Sequence, residues 1–195
     1  MMPVTGVILA GGQGRRMDNV DKGLELLNGR PLIAWVVQRV APQVSEILIN
    51  ANRNRDVYAA FEYRVVEDHI GGFAGPLAGL HRGLAEAQHE LVLSVPCDTP
   101  FLPEDLVARL AAPLDDEHVD LSVAKTGTQA HPVICLTRKR LLAHLAAFLD
   151  SGGRKVDAWY STLRVAKVAF DDQPAAFMNV NTLGELRAVR THLEK

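Results

Sequence analysis

Val4-Thr5-Gly6-Val7-Ile8-Leu9-Ala10-Gly11-Gly12-Gln13-Gly14-Arg15-Arg16-Met17 opens the 195-residue chain with an apolar run that turns abruptly into glycines and arginines. The apolar half reads as a strand over 4–10, and the polar half as a loop extending to Asp21-Lys22-Gly23. Glycines at 11, 12 and 14 let backbone N–H groups approach an anion closely, while Arg15, Arg16 and Lys22 add the charge a polyphosphate needs. A strained surface turn with solvated basic residues is the competing reading. The loop's place directly after the first strand favours phosphate, because ligands of open parallel sheets sit beyond the strands' carboxyl ends.

Working outward, strand-length apolar runs alternate with helix-length amphipathic ones, the rhythm of an α/β fold. A helix opens at Pro31, carries Ile33, Val36, Val37 and Val40, and is ended by Pro42. Strands are expected over Glu46–Asn50 and Arg64–Glu67, with a short helix from Asp56 between them. A Gly-rich loop over 71–79 and a helix over Leu80–Gln88 follow. Leu91–Val95 is almost wholly apolar, as a strand buried on both faces in the middle of a parallel sheet requires. Further on, the pattern predicts a helix over Glu104–Leu110, a hairpin joining Leu121–Lys125 to Val133–Leu136 and a helix over Arg138–Leu149. A short helix over Lys155–Tyr160, a strand over Val165–Phe170 and a capped terminal helix over 182–193 complete it. The fold expected is a Rossmann-like, mostly parallel sheet flanked by helices in one domain, with a nucleotide-binding half over about 1–100 and an acceptor-binding half over about 101–195.

Composition removes several function classes. The 48% hydrophobic content excludes global disorder, and 21 basic against 23 acidic residues argue against a surface built to grip nucleic acid or anionic lipid. Cys97 and Cys135 form no CxxC or Cys/His ligand pattern, which fits a reducing cytoplasm. The apolar stretch 7–10 has no basic residue before it and is too short for a signal peptide or membrane span, so neither export nor membrane insertion is expected.

The loops after strands carry the candidate chemistry. The first loop lacks the GxxxxGK[ST] of a P-loop and has Met17 where GxGxxG needs its third glycine, and the second strand ends in Asn50-Ala51-Asn52 rather than an acid, which disfavours an NAD-dependent oxidoreductase. Asn50 suits a base or ribose hydroxyl as well as it suits a turn. Asp98, leaving the most buried strand between Pro96 and Pro100, is placed either for magnesium or to cap the next helix. Cys97 beside it reads as a buried small apolar residue. Asn179 and Asn181, alternating in Phe177-Met178-Asn179-Val180-Asn181-Thr182, offer carbonyl oxygens to a magnesium shell or a phosphate, with helix capping equally open. Asp68 and the loop 75–79 line the other side of the cleft in this reading, where a carboxylate accepting two N–H donors complements the Watson–Crick edge of guanine; exposure at the surface is the alternative. His131-Pro132 and the basic pair Arg154-Lys155 are weaker candidates for a second substrate, and Trp35 and Trp159 read as packing residues.

LAGGQGRRM with DKG resembles the signature of nucleotidyltransferases that activate sugars and cofactors with an NTP. Together with NANRN, GPLAGL, PCDTP, HP and NVNT, in that order, the chain from Thr5 to its last helix resembles the molybdenum cofactor guanylyltransferase family. The resemblance implies that Leu9, Ala10, Gly11, Gly12, Lys22, Asn50 and Asp68 bind GTP, and that Asp98 binds GTP and Mg²⁺ with Asn181 contributing. Lys22, Asp98 and Arg16 would then serve catalysis. It implies transfer of GMP from GTP to the terminal phosphate of molybdenum-molybdopterin, releasing pyrophosphate, and transient contact with molybdoenzymes or their chaperones. Gln13-Gly14 and Asp18-Asn19 fall where members vary, so base specificity is not read from them. A cytidylyltransferase for the same pterin, a sugar-phosphate nucleotidyltransferase and a non-catalytic GTP-binding module are the alternatives.

Overall fold

The computed structural model describes residues 2–10, 21–69 and 75–180. Its strands in chain order are β1 (Val4–Leu9), β2 (Leu26–Leu27), β3 (Arg30–Pro31), β4 (Glu46–Asn50), β5 (Arg64–Val66), β6 (Leu91–Pro96), β7 (Leu121–Thr126), β8 (Gln129–Arg138) and β9 (Val165–Ala169). The α-helices are α1 (Leu32–Val40), α2 (Arg55–Ala59), α3 (Pro76–Glu86), α4 (Leu106–Ala111), α5 (Leu142–Asp150) and α6 (Val156–Tyr160).

Seven strands form one sheet in the order β5-β4-β1-β6-β8-β7-β9. Strand β1 pairs in parallel with β4 on one edge and β6 on the other, with Leu9 opposite both Asn50 and Pro96. The chain therefore winds from β1 toward β4 and β5, then returns to place β6 on β1's opposite side. That reversal opens a crevice beyond the carboxyl ends of β1 and β6, the place where an open α/β sheet binds its ligand.

Side-chain alternation divides the core into two layers. Ile8, Ile47, Ile49, Leu91, Leu93 and Val95 face α1 and α4, whereas Val7, Leu48 and Val92 face α3, α5 and the fully buried Trp159 of α6. Helices thus cover both faces, as the unbroken apolar runs of β1 and β6 demand.

The structure corrects several expectations. Strand β6 borders an antiparallel neighbour, β8, so it is not enclosed by parallel strands on both edges. Strand β8 starts at Gln129 and includes His131-Pro132; its pairing with β7 is irregular between Val123 and Lys125, and the missing N–H of Pro132 is tolerated in that interrupted stretch. Helix α3 begins at Pro76 within the expected loop 71–79, with Pro76 supplying the fixed φ of a first helical turn. Helix α5 begins only at Leu142, because Arg138 ends β8 and a 3-10 turn over Lys139–Leu141 intervenes. The β2–β3 hairpin was not expected; its signal is Asn28-Gly29, both at positive φ. The terminal helix expected over 182–193 lies outside the described residues.

Helix α3 lies so close to the sheet that a Cβ on Gly83 would come 2.6 Å from Val7 Cγ2 and 2.9 Å from its Cγ1. Val7 is fully buried and β-branched, so it has little rotamer freedom with which to yield. Gly83→Ala, normally worth about 1 kcal/mol to a helix, is expected instead to cost about 1–3 kcal/mol by overpacking. Urea denaturation checks the sign, and Val7→Ala in the same chain should recover most of the loss.

Candidate functional site

The ends of four strands, β1, β6, β4 and β5, converge on the crevice. From β1, the carbonyl of Leu9 accepts Cys97 N–H at 3.1 Å, and Ala10 N–H reaches back to the carbonyl of Asn50 at 2.8 Å. These bonds carry the sheet one step past its formal end and fix the start of the Gly-rich loop relative to β4 and β6. Gly11, Gly12 and Arg16, three of the phosphate candidates, lie outside the described residues, as does Asn181.

From β6, Asp98 emerges behind Cys97 as a mostly buried carboxylate, 12% exposed at its side chain. The Lys22 ammonium, carried by a 3-10 turn over Lys22–Leu24, lies 3.4 Å from Asp98 Oδ2. Residues 76 positions apart in sequence thus bring a cation and an anion to the mouth of the crevice. The backbone of Asp98 has a separate duty, its carbonyl accepting Val180 N–H at 2.9 Å. Beside it, Thr99 Oγ1 donates to Asn179 Oδ1 at 2.7 Å. The segment leading to Asn181 is therefore stitched to the loop after β6. Burial raises the Cys97 thiol well above its ordinary pKa, which agrees with an inert packing residue.

From β4 and β5 comes a second polar group. Asn50, 2% exposed, donates through Nδ2 to Asp68 Oδ1 at 2.9 Å, and Asn52 donates to Asp68 Oδ2 at 2.8 Å. Asp68 N–H returns a bond to Asn52 Oδ1 at 2.9 Å. Each carboxylate oxygen keeps a further lone pair, so Asp68 can still accept two N–H donors. Gly79, which the sequence reading placed in a cleft-lining loop, belongs to α3, where a Cβ would strike Asn50 Oδ1 and come 2.8 Å from Leu9 Cδ2. Its bare backbone lets α3 close over the ends of β1 and β4. A wider open cleft of about 640 Å³ lies beyond Asn52, lined by Arg53, Asn54, Arg55, Asp56, Ala59 and Val65; Lys22 and Asp98 do not border it.

The acceptor-half candidates have structural partners. His131 Nε2 lies 2.8 Å from Thr126 Oγ1 and its ring stacks on Phe177 at 4.7 Å, which ties β8 to the segment ending in Asn179. Arg154 donates to the carbonyls of Leu149 at 2.7 Å and Gly153 at 2.6 Å, securing the end of α5. Trp159 Nε1 donates to His144 Nδ1 at 3.0 Å, and Trp35 Nε1 donates to the carbonyl of Leu27 at 3.2 Å; both are packing residues, as expected. The sequence reading missed Asp21, Asn54 and Tyr58, whose side chains meet below Lys22. Asp21 within DKG and Asn54 within NANRN stood in the quoted motifs without a role of their own, and nothing pointed to Tyr58.

With this geometry in place, the MobA-like NTP transferase domain family matches residues 6–165. A molybdenum cofactor guanylyltransferase from Shewanella amazonensis is 52% identical over 179 residues, covering 92% of this chain and 91% of the relative. The chain belongs to the molybdenum cofactor guanylyltransferase family of MobA-like NTP transferases. A second family member, from Shewanella frigidimarina, is 45% identical and covers 98% of both chains. In fold, the chain is similar to molybdopterin-guanine dinucleotide biosynthesis protein A from Archaeoglobus fulgidus, with TM-score 0.80, 20% identity and coverage of 97% and 98%. It is also similar to 4-diphosphocytidyl-2C-methyl-D-erythritol synthase from Anaerococcus prevotii, with TM-score 0.76, 14% identity and coverage of 100% and 99%. The family thus uses a nucleotidyltransferase fold, and among the described residues no helix is long and apolar enough to cross a membrane.

Burial lowers the pKa of His131 below its ordinary 6.5, and burial does the same at His81. The unfolded chain therefore takes up protons first as pH falls, so stability is full above about 6.5 and declines as pH drops through the lowered folded values. Denaturation at pH 7.5 and 5.5 should show this loss, and His131→Gln should shrink the difference; an unchanged difference would assign the loss to other groups.

Proposed function

We propose that the protein transfers GMP from GTP to the terminal phosphate of molybdenum-molybdopterin, yielding the guanine dinucleotide form of the cofactor and pyrophosphate. The observation that carries this reading is the meeting of Lys22 and Asp98 at the switch point of the sheet, in a chain of this family. The triphosphate lies along the first loop and Lys22, with the guanine toward Asn50 and Asp68. Asp68 accepts two N–H donors of the base on the lone pairs its asparagines leave open.

A phosphate monoester has a second pKa near ~6 and is already an anionic nucleophile at neutral pH. Its oxygen attacks the α-phosphorus of GTP, the bond from that phosphorus to the bridging oxygen breaks, and pyrophosphate leaves with the electron pair. No strong general base is needed, and His131 is already engaged by Thr126 and Phe177. What the chain supplies is charge and alignment: Lys22 and Arg16 neutralise the triphosphate, and the Gly11-Gly12 amides hold it in line.

Asp98 fits a magnesium ion by donor chemistry, since that ion takes one or two hard carboxylates together with substrate phosphates and water. Among the described residues no cluster of His, Cys, Asp and Glu forms a cage of its own, so the nucleotide completes the shell, with Asn181 as a further oxygen donor. Magnesium, when bound there, draws charge from the triphosphate and the leaving pyrophosphate. Delivery of the product calls for brief contact with molybdoenzymes or their chaperones.

Pyrophosphate release with Mg²⁺ and a molybdopterin-loaded acceptor, measured in parallel for GTP, CTP, ATP and UTP, tests the reading. Release with GTP alone is expected; release with CTP moves the protein to the cytidylyl transfer reaction, and tight GTP binding without release points to a binding module. Asp98→Ala should lower kcat by about 10³-fold. Folding should survive it, because the Asp98 carbonyl rather than its carboxylate anchors Val180. Unfolding of the variant, seen by circular dichroism, would make Asp98 structural.

A further inference from the structure

Lys22 is gripped by the residues on either side of it. On one side, Asp21 accepts the Tyr58 hydroxyl on Oδ1 and the Asn54 amide on Oδ2 at 2.9 Å. Asn54 precedes α2 in the left-handed conformation, φ 49 and ψ 33, which turns the chain sharply at the mouth of that helix. On the other side, Gly23 is packed so tightly that a Cβ would come 2.5 Å from the same Tyr58 hydroxyl oxygen and 3.3 Å from Cys97 Sγ. The 3-10 turn between these anchors is closed by Leu24 N–H on the Asp21 carbonyl at 3.0 Å and Glu25 N–H on the Lys22 carbonyl at 3.1 Å. Tyr58 is fully buried, and burial with the adjoining carboxylate raises its pKa far above the ordinary value, so the phenol remains a donor at any working pH.

We propose that Tyr58 is a positioning residue for the nucleotidyl transfer: its hydroxyl, bonded to Asp21 and packed on Gly23, fixes the turn that delivers the Lys22 ammonium to the end of β6. Two physical effects follow from the one hydroxyl. The lysine stem is four flexible carbons, so an ammonium can be aimed only if its Cα is held. The Asp21 carboxylate adjoins Lys22 in the chain, and bonding both its oxygens to Tyr58 and Asn54 fixes that side chain against α2 and its entry. Tyr58 is fully buried with its hydroxyl committed to Asp21, so it acts through the turn and not on the substrate. The inference rests on the proposed function only in taking Lys22 to neutralise the nucleotide's phosphates.

The test is Tyr58→Phe, which keeps the buried ring and removes only the oxygen. With wild-type turnover established, kcat/KM for GTP is expected to fall by about 10- to 100-fold, the scale of a small misplacement of a positioned group. KM for the acceptor should stay unchanged. In a Lys22→Ala background, calorimetric Kd for GTP should be nearly indifferent to Tyr58→Phe, whereas in the wild-type background it should weaken. Gly23→Ala, which drives a methyl group against the Tyr58 hydroxyl and so displaces the turn and its bond to Asp21, serves as a second variant should Tyr58→Phe fail to fold, and should show the same loss and the same coupling. A Tyr58→Phe or Gly23→Ala protein with full kcat/KM, or with losses that add to those of Lys22→Ala, overturns the proposal. A wild-type protein that does not turn over GTP refutes the nucleotidyl transfer reading itself.

Discussion

Strand β1 is held between two parallel neighbours, and the ends of all three are brought level by that pairing, Leu9 facing Asn50 on one side and Pro96 on the other. The rest of the molecule depends on this constraint. Because β4 and β6 leave β1 on opposite sides, the connections that follow them must diverge, and the space between is left to a ligand. The backbone bonds from Cys97 to Leu9 and from Ala10 to Asn50 extend the alignment past the strand ends, so Ala10 and Cys97 are placed by the sheet itself. A site built this way inherits the rigidity of a buried core on both faces.

Three acidic residues at this end of the sheet show how environment divides one functional group into different tasks. Asp68 is bound by Asn50 and Asn52, and Asp21 by Tyr58 and Asn54; both are fixed by neutral donors. Asp98 instead faces an ammonium, and so stands where charge is handled. Asp98 and Lys22 come from segments 76 positions apart, so the fold and not either segment alone brings them together. Beyond β6 the contacts are supporting ones: His131 on Phe177 and Thr99 on Asn179 brace the segment over 177–180 against β8 and the loop after β6.

Much of this was legible in the sequence because the signals were local. The apolar run 91–95, the Pro31 entry to α1 and the turn between β7 and β8 each follow from a few adjacent residues, and the bounds of β4 match the expected Glu46–Asn50. Asn50, Asp68 and Asp98 drew attention because each stands at or just past a strand's end, and Leu9 entered through the family resemblance. What escaped depends on contacts distant in the chain. Gly79 of α3 read as a loop residue and Gly83 as an unremarked position of a helix, since nothing in GPLAGLHRG says that Asn50 and Val7 lie against its bare face. Tyr58 was not singled out within the short helix expected from Asp56, because its partner is Asp21, 37 positions earlier. The antiparallel β8 beside β6 was hidden for the same reason, as apolar alternation does not encode strand direction.

The central claim is a place: the triphosphate lies between the ends of β1 and β6, against Lys22, with the base toward Asn50 and Asp68. A crystal structure with a non-hydrolysable GTP analogue and Mg²⁺ tests it most directly. The account predicts phosphate oxygens within hydrogen-bond reach of Lys22 Nζ, the metal on Asp98 and the guanine edge on the Asp68 carboxylate. A nucleotide seated instead in the cleft lined by Arg53, Arg55 and Asp56, with Lys22 still closed on Asp98, would contradict it.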